Sequence, residues 1–189
     1  MKRIMILGVA LLTIFAVVAV DAVSVSASGD EFYASKAGKT KSKQTGAQVF
    51  KTSVGTLECS EVSGTGTIAA GSSSSHKEVF TYSGCFASGS GMKISAADFE
   101  FYATGAVKLE NTVIIEPNNK ECEIVLEPQT VEGGATYENK SGGKVEAEAD
   151  ALKIHSKGTG GNCGGTSTSG SYMGSDLGEL ESGTIEWKS

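Results

Sequence analysis

The chain has 189 residues, a formal net charge of −6, 25 glycines, 2 prolines, 4 cysteines and 2 histidines. An acidic balance argues against nucleic acid and anionic membrane as partners, since both select basic surfaces. The histidine count and the absence of Cys-x-x-Cys argue against a zinc site, and the abundant Gly, Ser and Thr suit short strands joined by turns better than a helical bundle.

Lys2 and Arg3 precede an apolar run, Ile4–Val20, relieved only by Gly8 and Thr13. A basic flank, an apolar run and small residues after it mark a secretory signal peptide. Residues 1–27 are read as that peptide, with Val25-Ser26-Ala27 cut before Ser28; Val20-Asp21-Ala22, cut before Val23, is the second site. The alternative is an uncleaved anchor, for which the run is at the short end. No cysteine follows the run closely enough for lipid attachment, and no second apolar run lies near Ser189. The expected protein is secreted and touches a membrane only through its signal peptide. Loss of Lys2, Arg3 and Asp21 takes the formal charge from −6 to −7, and the remaining length suffices for one domain with a core.

Cys59, Cys85, Cys122 and Cys163 all lie in the mature part. An even number in an exported chain implies disulfides. Three connectivities are open; the sequence-local pairing, Cys59–Cys85 with Cys122–Cys163, is preferred, although loop entropy does not select it.

Glu31–Ala34 is a short strand candidate. Ser35–Gly46 carries Lys36, Lys39, Lys41 and Lys43 and is read as a solvated loop; contact with an anionic wall polymer is its functional reading. Residues 28–46 thus form an N-terminal strand and lysine-containing loop, and 47–189 a disulfide-stapled β domain. Gln48–Thr52 and Thr56–Val62 read as strands turning at Val54-Gly55, extended by Gly64–Ile68. Gly71–Ser75 is a Gly/Ser loop and a candidate exposed tip. Val79–Phe86 is a strand in which Gly84 marks a bulge or a close backbone approach. Met92, Ile94 and Ala96 share a parity that switches at Ala96-Ala97 to Phe99 and Phe101, which requires a bulge or bend.

Val107–Leu109 and Thr112–Glu116 follow as strands. The turn Pro117–Lys120 leads into Glu121–Gln129, where Cys122, Ile124 and Leu126 face inward and Glu121, Glu123 and Glu127 outward. These two segments are expected to pair antiparallel, with Pro128 ending the second. Thr136–Asn139 is a short strand. Lys144–Ser156 alternates Val145, Ala147 and Ala149 with Glu146, Glu148 and Asp150; a strand with a parity break near Leu152 is preferred over a helix burying Val145, Ala149 and Leu152. Gly158–Gly165 is a loop holding Cys163, and Thr166–Leu180 and Gly183–Lys188 close the chain as strands. The fold expected is all-β: an antiparallel β-sandwich of about ten short strands with two disulfides, with a β-barrel as the alternative.

The sequence offers little chemistry. No Gly-x-Ser-x-Gly occurs, and Ser74-x-x-Lys77 lacks the helical turn its chemistry needs. His76 is read as part of a polar loop and His155, between Lys153 and Lys157, as an outward-facing strand residue. The acids Glu121, Glu123 and Glu127 are explained by an exposed face as well as by a hydrolytic pair. Tyr82, Phe86, Tyr102, Tyr137, Tyr172 and Trp187 are assigned to packing before sugar stacking. Asn139-Lys140-Ser141 matches a glycosylation sequon by chance. No catalytic, cofactor-binding or metal-binding residue is named, and no cofactor is expected.

The succession Thr56-Leu57-Glu58-Cys59, Tyr82-Ser83-Gly84-Cys85, Cys122–Gln129, Tyr137-Glu138-Asn139, the loop at Cys163 and Gly170-Ser171-Tyr172-Met173-Gly174 resembles a group of uncharacterised secreted β-rich proteins of high-GC Gram-positive bacteria. Members often carry a further cysteine pair in the middle; Asp98–Glu116 has none here, which fits two local bridges. The resemblance implies export and fold, and no activity. The expected function is that of a secreted, non-catalytic extracellular or envelope-associated protein, with cell-wall or extracellular polysaccharide as the candidate partner. A secreted polysaccharide hydrolase using a carboxylate pair is the alternative.

Overall fold

The computed structural model describes residues 29–52, 55–118, 122–160 and 165–189. Every regular element among them is a strand. In chain order these are β1 (Glu31–Ala34), β2 (Gly38–Gln44), β3 (Gln48–Thr52), β4 (Gly55–Ile68), β5 (Gly71–Ser73), β6 (Ser75–Ala87), β7 (Ser90–Ile94) and β8 (Ala97–Tyr102). There follow β9 (Val107–Leu109), β10 (Val113–Pro117), β11 (Glu123–Leu126), β12 (Gln129–Val131), β13 (Ala135–Lys140), β14 (Lys144–Thr159), β15 (Gly165–Leu180) and β16 (Ile185–Lys188). The proposed signal peptide lies outside the described residues.

A small sheet runs β16–β1–β5, all antiparallel. The large sheet is antiparallel throughout. Within it β4 pairs with β2 and β3 on one side and β6 on the other. β6 pairs with β7 and β8, and these with β10 and β9. β10 and β9 pair with β11 and β12, and β11 and β13 with β14. β14 pairs with β15, and β15 pairs in turn with β2 and β3. The series of hydrogen-bonded neighbours therefore returns to its start.

The inward parity of these strands supplies one continuous core, from Phe50, Leu57 and Val62 through Phe80, Leu109 and Ile115 to Ile124, Val145 and Ile154. Phe32 and Ala34 of the small sheet are part of it. Phe32 packs edge-on against Tyr137, 5.0 Å between ring centroids, so the small sheet covers one end of that core.

Most strand expectations hold, and the irregularities fall where the parity breaks. β7 ends at Ile94 and β8 begins at Ala97, with Ala97 buried and Ala96 exposed. In β14 the register against β15 shifts between Ala149 and Leu152 and again between Ile154 and Ser156. Gly84, at φ +57°, lies so close to Ser60 that a Cβ would collide with the serine hydroxyl. Cys59 and Cys85 oppose one another across β4 and β6 and form a disulfide. Cys122 is also disulfide-bonded; Cys163, expected as its partner, lies outside the described residues.

Two local expectations are corrected. Ser35–Gly46 is not a loop, because β2 occupies most of it. Lys39, Lys41 and Lys43 are exposed while Thr40 and Ser42 between them are buried, so the strand period was present under the charge. Gly71–Ser75 is not an exposed tip: Gly71, Ser72 and Ser73 pair with Ala34, Tyr33 and Phe32.

Candidate functional site

Two places combine shape with polar chemistry. One is inside the large sheet; the other is on its outer face. Inside, β2, β3, β6 and β15 turn polar residues into an otherwise apolar core. β6 runs His76, Glu78, Phe80 on its inner parity, and Thr40, Ser42, Gln48, His76 and Glu78 are all buried. Space for them comes from β4, where Cβ atoms at Gly64 and Gly66 would crowd Glu78 and Thr40.

The buried groups form two chains. His76 Nε2 lies 3.1 Å from Glu78 Oε1 and 3.1 Å from the Thr40 hydroxyl, and Ser42 Oγ donates to Glu78 Oε2 at 2.5 Å. A carboxylate only accepts, so in the neutral imidazole it sets the proton on Nε2, and Nδ1 is then an acceptor without a partner. In the second chain the Tyr172 hydroxyl donates to Gln48 Oε1, and Gln48 Nε2 donates to Asp176 Oδ2 at 3.2 Å. Asp176 Oδ1 and the Tyr82 hydroxyl have no partner. Burial pushes the Asp176 carboxyl up to about 7; the Gln48 hydrogen bond opposes this and the nearby Glu78 charge adds to it. Burial raises the Tyr82 and Tyr172 hydroxyls as well.

His76 and Glu78 thus form a carboxylate-oriented imidazole, the supporting half of a hydrolytic triad. The other half is missing, because no side chain reaches Nδ1. The pair lines a cavity of about 50 Å³ together with Phe32 and Tyr137. That volume accommodates a few waters and no sugar ring.

On the outer face, β2, β4, β6 and β8 form a broad groove of about 650 Å³, lined by Lys39, Lys41, Thr65, Thr67, Lys77 and Val79, with Asp98, Glu110 and Glu181. Two of its lysines are paired with carboxylates. Lys41 Nζ is 2.7 Å from Glu181, and Lys77 Nζ is 2.8 Å from both oxygens of Glu110. These hydrogen bonds hold the Glu181 and Glu110 carboxyls below the usual range and raise the two lysines. Val79 lies exposed between them. The result is an open surface of alternating donors and acceptors with hydroxyls at Thr65 and Thr67.

Several sequence readings change against this geometry. His76 is buried on β6, not in a polar loop; the charges of Lys77 and Glu78 hid a parity that Phe80 continues. His155 is exposed as expected, and its backbone holds the Gln129 side chain. Tyr137 and Tyr172 are core residues as expected, but Phe86 is 58% exposed. The irregularity at Ser60–Glu61 and Ser83–Gly84 puts Cys85 inward and its neighbour Phe86 outward. Glu123 is half-buried and Glu127 exposed, while Glu121 lies outside the described residues. The Asn139 amide is engaged with the Trp187 backbone on both its oxygen and its nitrogen. Sequence reading missed Glu78, Gln48 and Asp176. Parity counted back from Phe80 would have found Glu78; nothing in the sequence marks Asp176 as inward. Among the described residues no group of His, Cys, Asp and Glu is placed to hold a metal.

Comparison with known proteins gives no match: no family model, no curated protein and no solved structure matches the chain.

Proposed function

We propose that the large sheet is an eight-stranded up-and-down β-barrel, and that the protein is a secreted, non-catalytic binder of extracellular or cell-envelope polysaccharide. The eight staves are β2 with β3, β4, β6, β7 with β8, β9 with β10, β11 with β12, β14 and β15; every adjacent pair is hydrogen-bonded, including the last to the first. An eight-stranded barrel is just wide enough for side chains to fill, which fits the continuous apolar core. Its exterior bears Lys39, Lys41, Lys77, Lys153 and Lys157, all exposed. A barrel in lipid has the opposite polarity, apolar outside and polar within. The amino-terminal apolar run and the disulfide across β4 and β6 both suit an oxidising exterior.

The outer groove is the observation that carries the binding reading. The pairing of Lys41 and Lys77 favours a hydroxyl-rich polymer over a polyanion, because a polyanion would have to displace Glu181 and Glu110 from these lysines. The hydrolase alternative needs two carboxyls facing a cleft open to a polymer. In the outer groove Glu110 and Glu181 are each held by a lysine, and Glu78 and Asp176 line the interior cavity with Phe32.

The test is retention of the mature protein on peptidoglycan, chitin and cellulose at low and high salt. Retention that survives high salt, and is lost in Thr65→Val/Thr67→Val/Lys77→Ala, is the expected result. Passage through every matrix, or retention unchanged by the triple substitution, would overturn the assignment.

A further inference from the structure

We propose that the interior cavity between His76 and Asp176 is a binding site for a small primary ammonium group carrying a slim, unbranched apolar tail. The unused hydrogen-bonding capacity of the cavity defines the head group. Both oxygens of Glu78 are occupied, by His76 and Ser42. His76 Nε2 is occupied, and His76 Nδ1 is not. Gln48 occupies Asp176 Oδ2, and Oδ1 is without a partner. The two residues that carry these bare acceptors therefore line one cavity of about 50 Å³, and no lysine or arginine is among its lining residues. A buried acceptor without a donor costs about 1–3 kcal/mol, so an occupant must donate. With Glu78, Asp176 and Glu179 all among the lining residues, a cationic donor is favoured over a neutral one. His76 is 9% exposed, so its free nitrogen faces the interior and not bulk water.

The tail is defined by what adjoins the cavity. A second void of about 20 Å³ shares Phe80, Phe101, Ala147 and Asp176 with the first. A third, of about 30 Å³, shares Phe99, Val107 and Tyr172 with the second and reaches Gln129. Each void shares lining side chains with the next, so movement of those side chains alone would join the three into a narrow, mostly apolar path down the interior from the acid end. Voids of this size leave their lining short of contacts, which an alkyl chain would supply.

The path ends at a weak point in the wall. Among the described residues no backbone pairing joins β12 to β14; the Gln129 amide donates to the His155 carbonyl and accepts from the His155 N–H in its place. Gln129 also lines an outer recess with Val125, Glu127 and His155. Rotation of one side chain would join recess to interior.

The experiment uses the mature protein at about pH 8 and follows thermal unfolding and two-dimensional NMR during titration with n-butylammonium chloride. n-Butanol, sodium butyrate and sodium chloride at matched ionic strength are the controls. A ligand that binds only the folded state raises the midpoint with concentration. The expected result is a saturable rise with the amine alone, accompanied by shifts at His76 and Asp176 and weakened about tenfold in Asp176→Asn. Ala149→Leu, which fills the second void and is not among the residues lining the first, should abolish the response to butylammonium while leaving that to methylammonium; it provides the answer if Asp176→Asn fails to fold. An equal rise with butanol, a rise reproduced by sodium chloride, or no saturable response would overturn the proposal.

Discussion

Asp176→Asn isolates the most unfavourable group in the core. In the folded protein the carboxyl titrates near 7, against 3.8 for the unperturbed group. The groups facing it are Glu78 and Tyr82 of β6, Gln48 of β3 and Tyr172 on its own strand. Below about pH 4 both folded and unfolded states hold the proton, so Asp176 makes no difference between them. Between about pH 4 and 7 the unfolded chain releases its proton while the folded one keeps it, and stability falls as pH rises. Above about pH 7 both have released it and the loss is constant. At 1.36 kcal/mol per unit, the difference between 7 and 3.8 amounts to about 4 kcal/mol. Asparagine carries no charge to desolvate, and its carbonyl still accepts from Gln48. The variant should therefore match the parent near pH 4 and exceed it by up to about 4 kcal/mol near pH 8. Urea unfolding of both proteins at the two pH values measures this. A stability difference that does not change between them would refute the argument that Asp176 is held neutral by burial.

Three further outcomes follow from the same geometry. Replacing Cys59 and Cys85 by alanine opens a loop with a sequence separation of 26, and should lower stability by about 3–4 kcal/mol in the chain-entropy model; urea unfolding of the variant and the oxidised parent measures this. Gly174→Ala drives a methyl into the Gln48 amide, which links Tyr172 to Asp176, and a loss of about 2–4 kcal/mol is expected from overpacking plus broken hydrogen bonds; an unchanged unfolding midpoint would contradict the placement of Gln48. Mass spectrometry of the exported protein should find Ser28 at its amino terminus, and non-reducing peptide maps should link Cys122 to Cys163; a Cys122 peptide joined to any other partner would refute the second local bridge.

Much of the large sheet was legible because strands write their faces into the sequence with a period of two. Cys122, Ile124 and Leu126, or Val145, Ala147 and Ala149, show it in one reading frame, and the breaks at Ala96-Ala97 and near Leu152 correspond to real irregularities. The same rule failed where the inner residue is polar. Lys39–Lys43 and His76–Glu78 alternate as regularly, but hydroxyls, imidazole and carboxylate on the inward parity look like a loop until their partners on other strands are known. Those partners are distant in sequence, as with Ser42 and Glu78 or Gln48 and Tyr172. The outer groove was out of reach for the same reason: Lys41 meets Glu181, and Lys77 meets Glu110, only once the strands are side by side.

The most direct test of polysaccharide binding on the outer face is NMR mapping with soluble oligosaccharides released from whichever polymer retains the protein. The binding account predicts amide shifts concentrated on Thr65, Thr67, Lys77 and Val79, with the interior amides of His76 and Tyr172 unmoved. Shifts centred on another face, or none at saturating oligosaccharide, would contradict it.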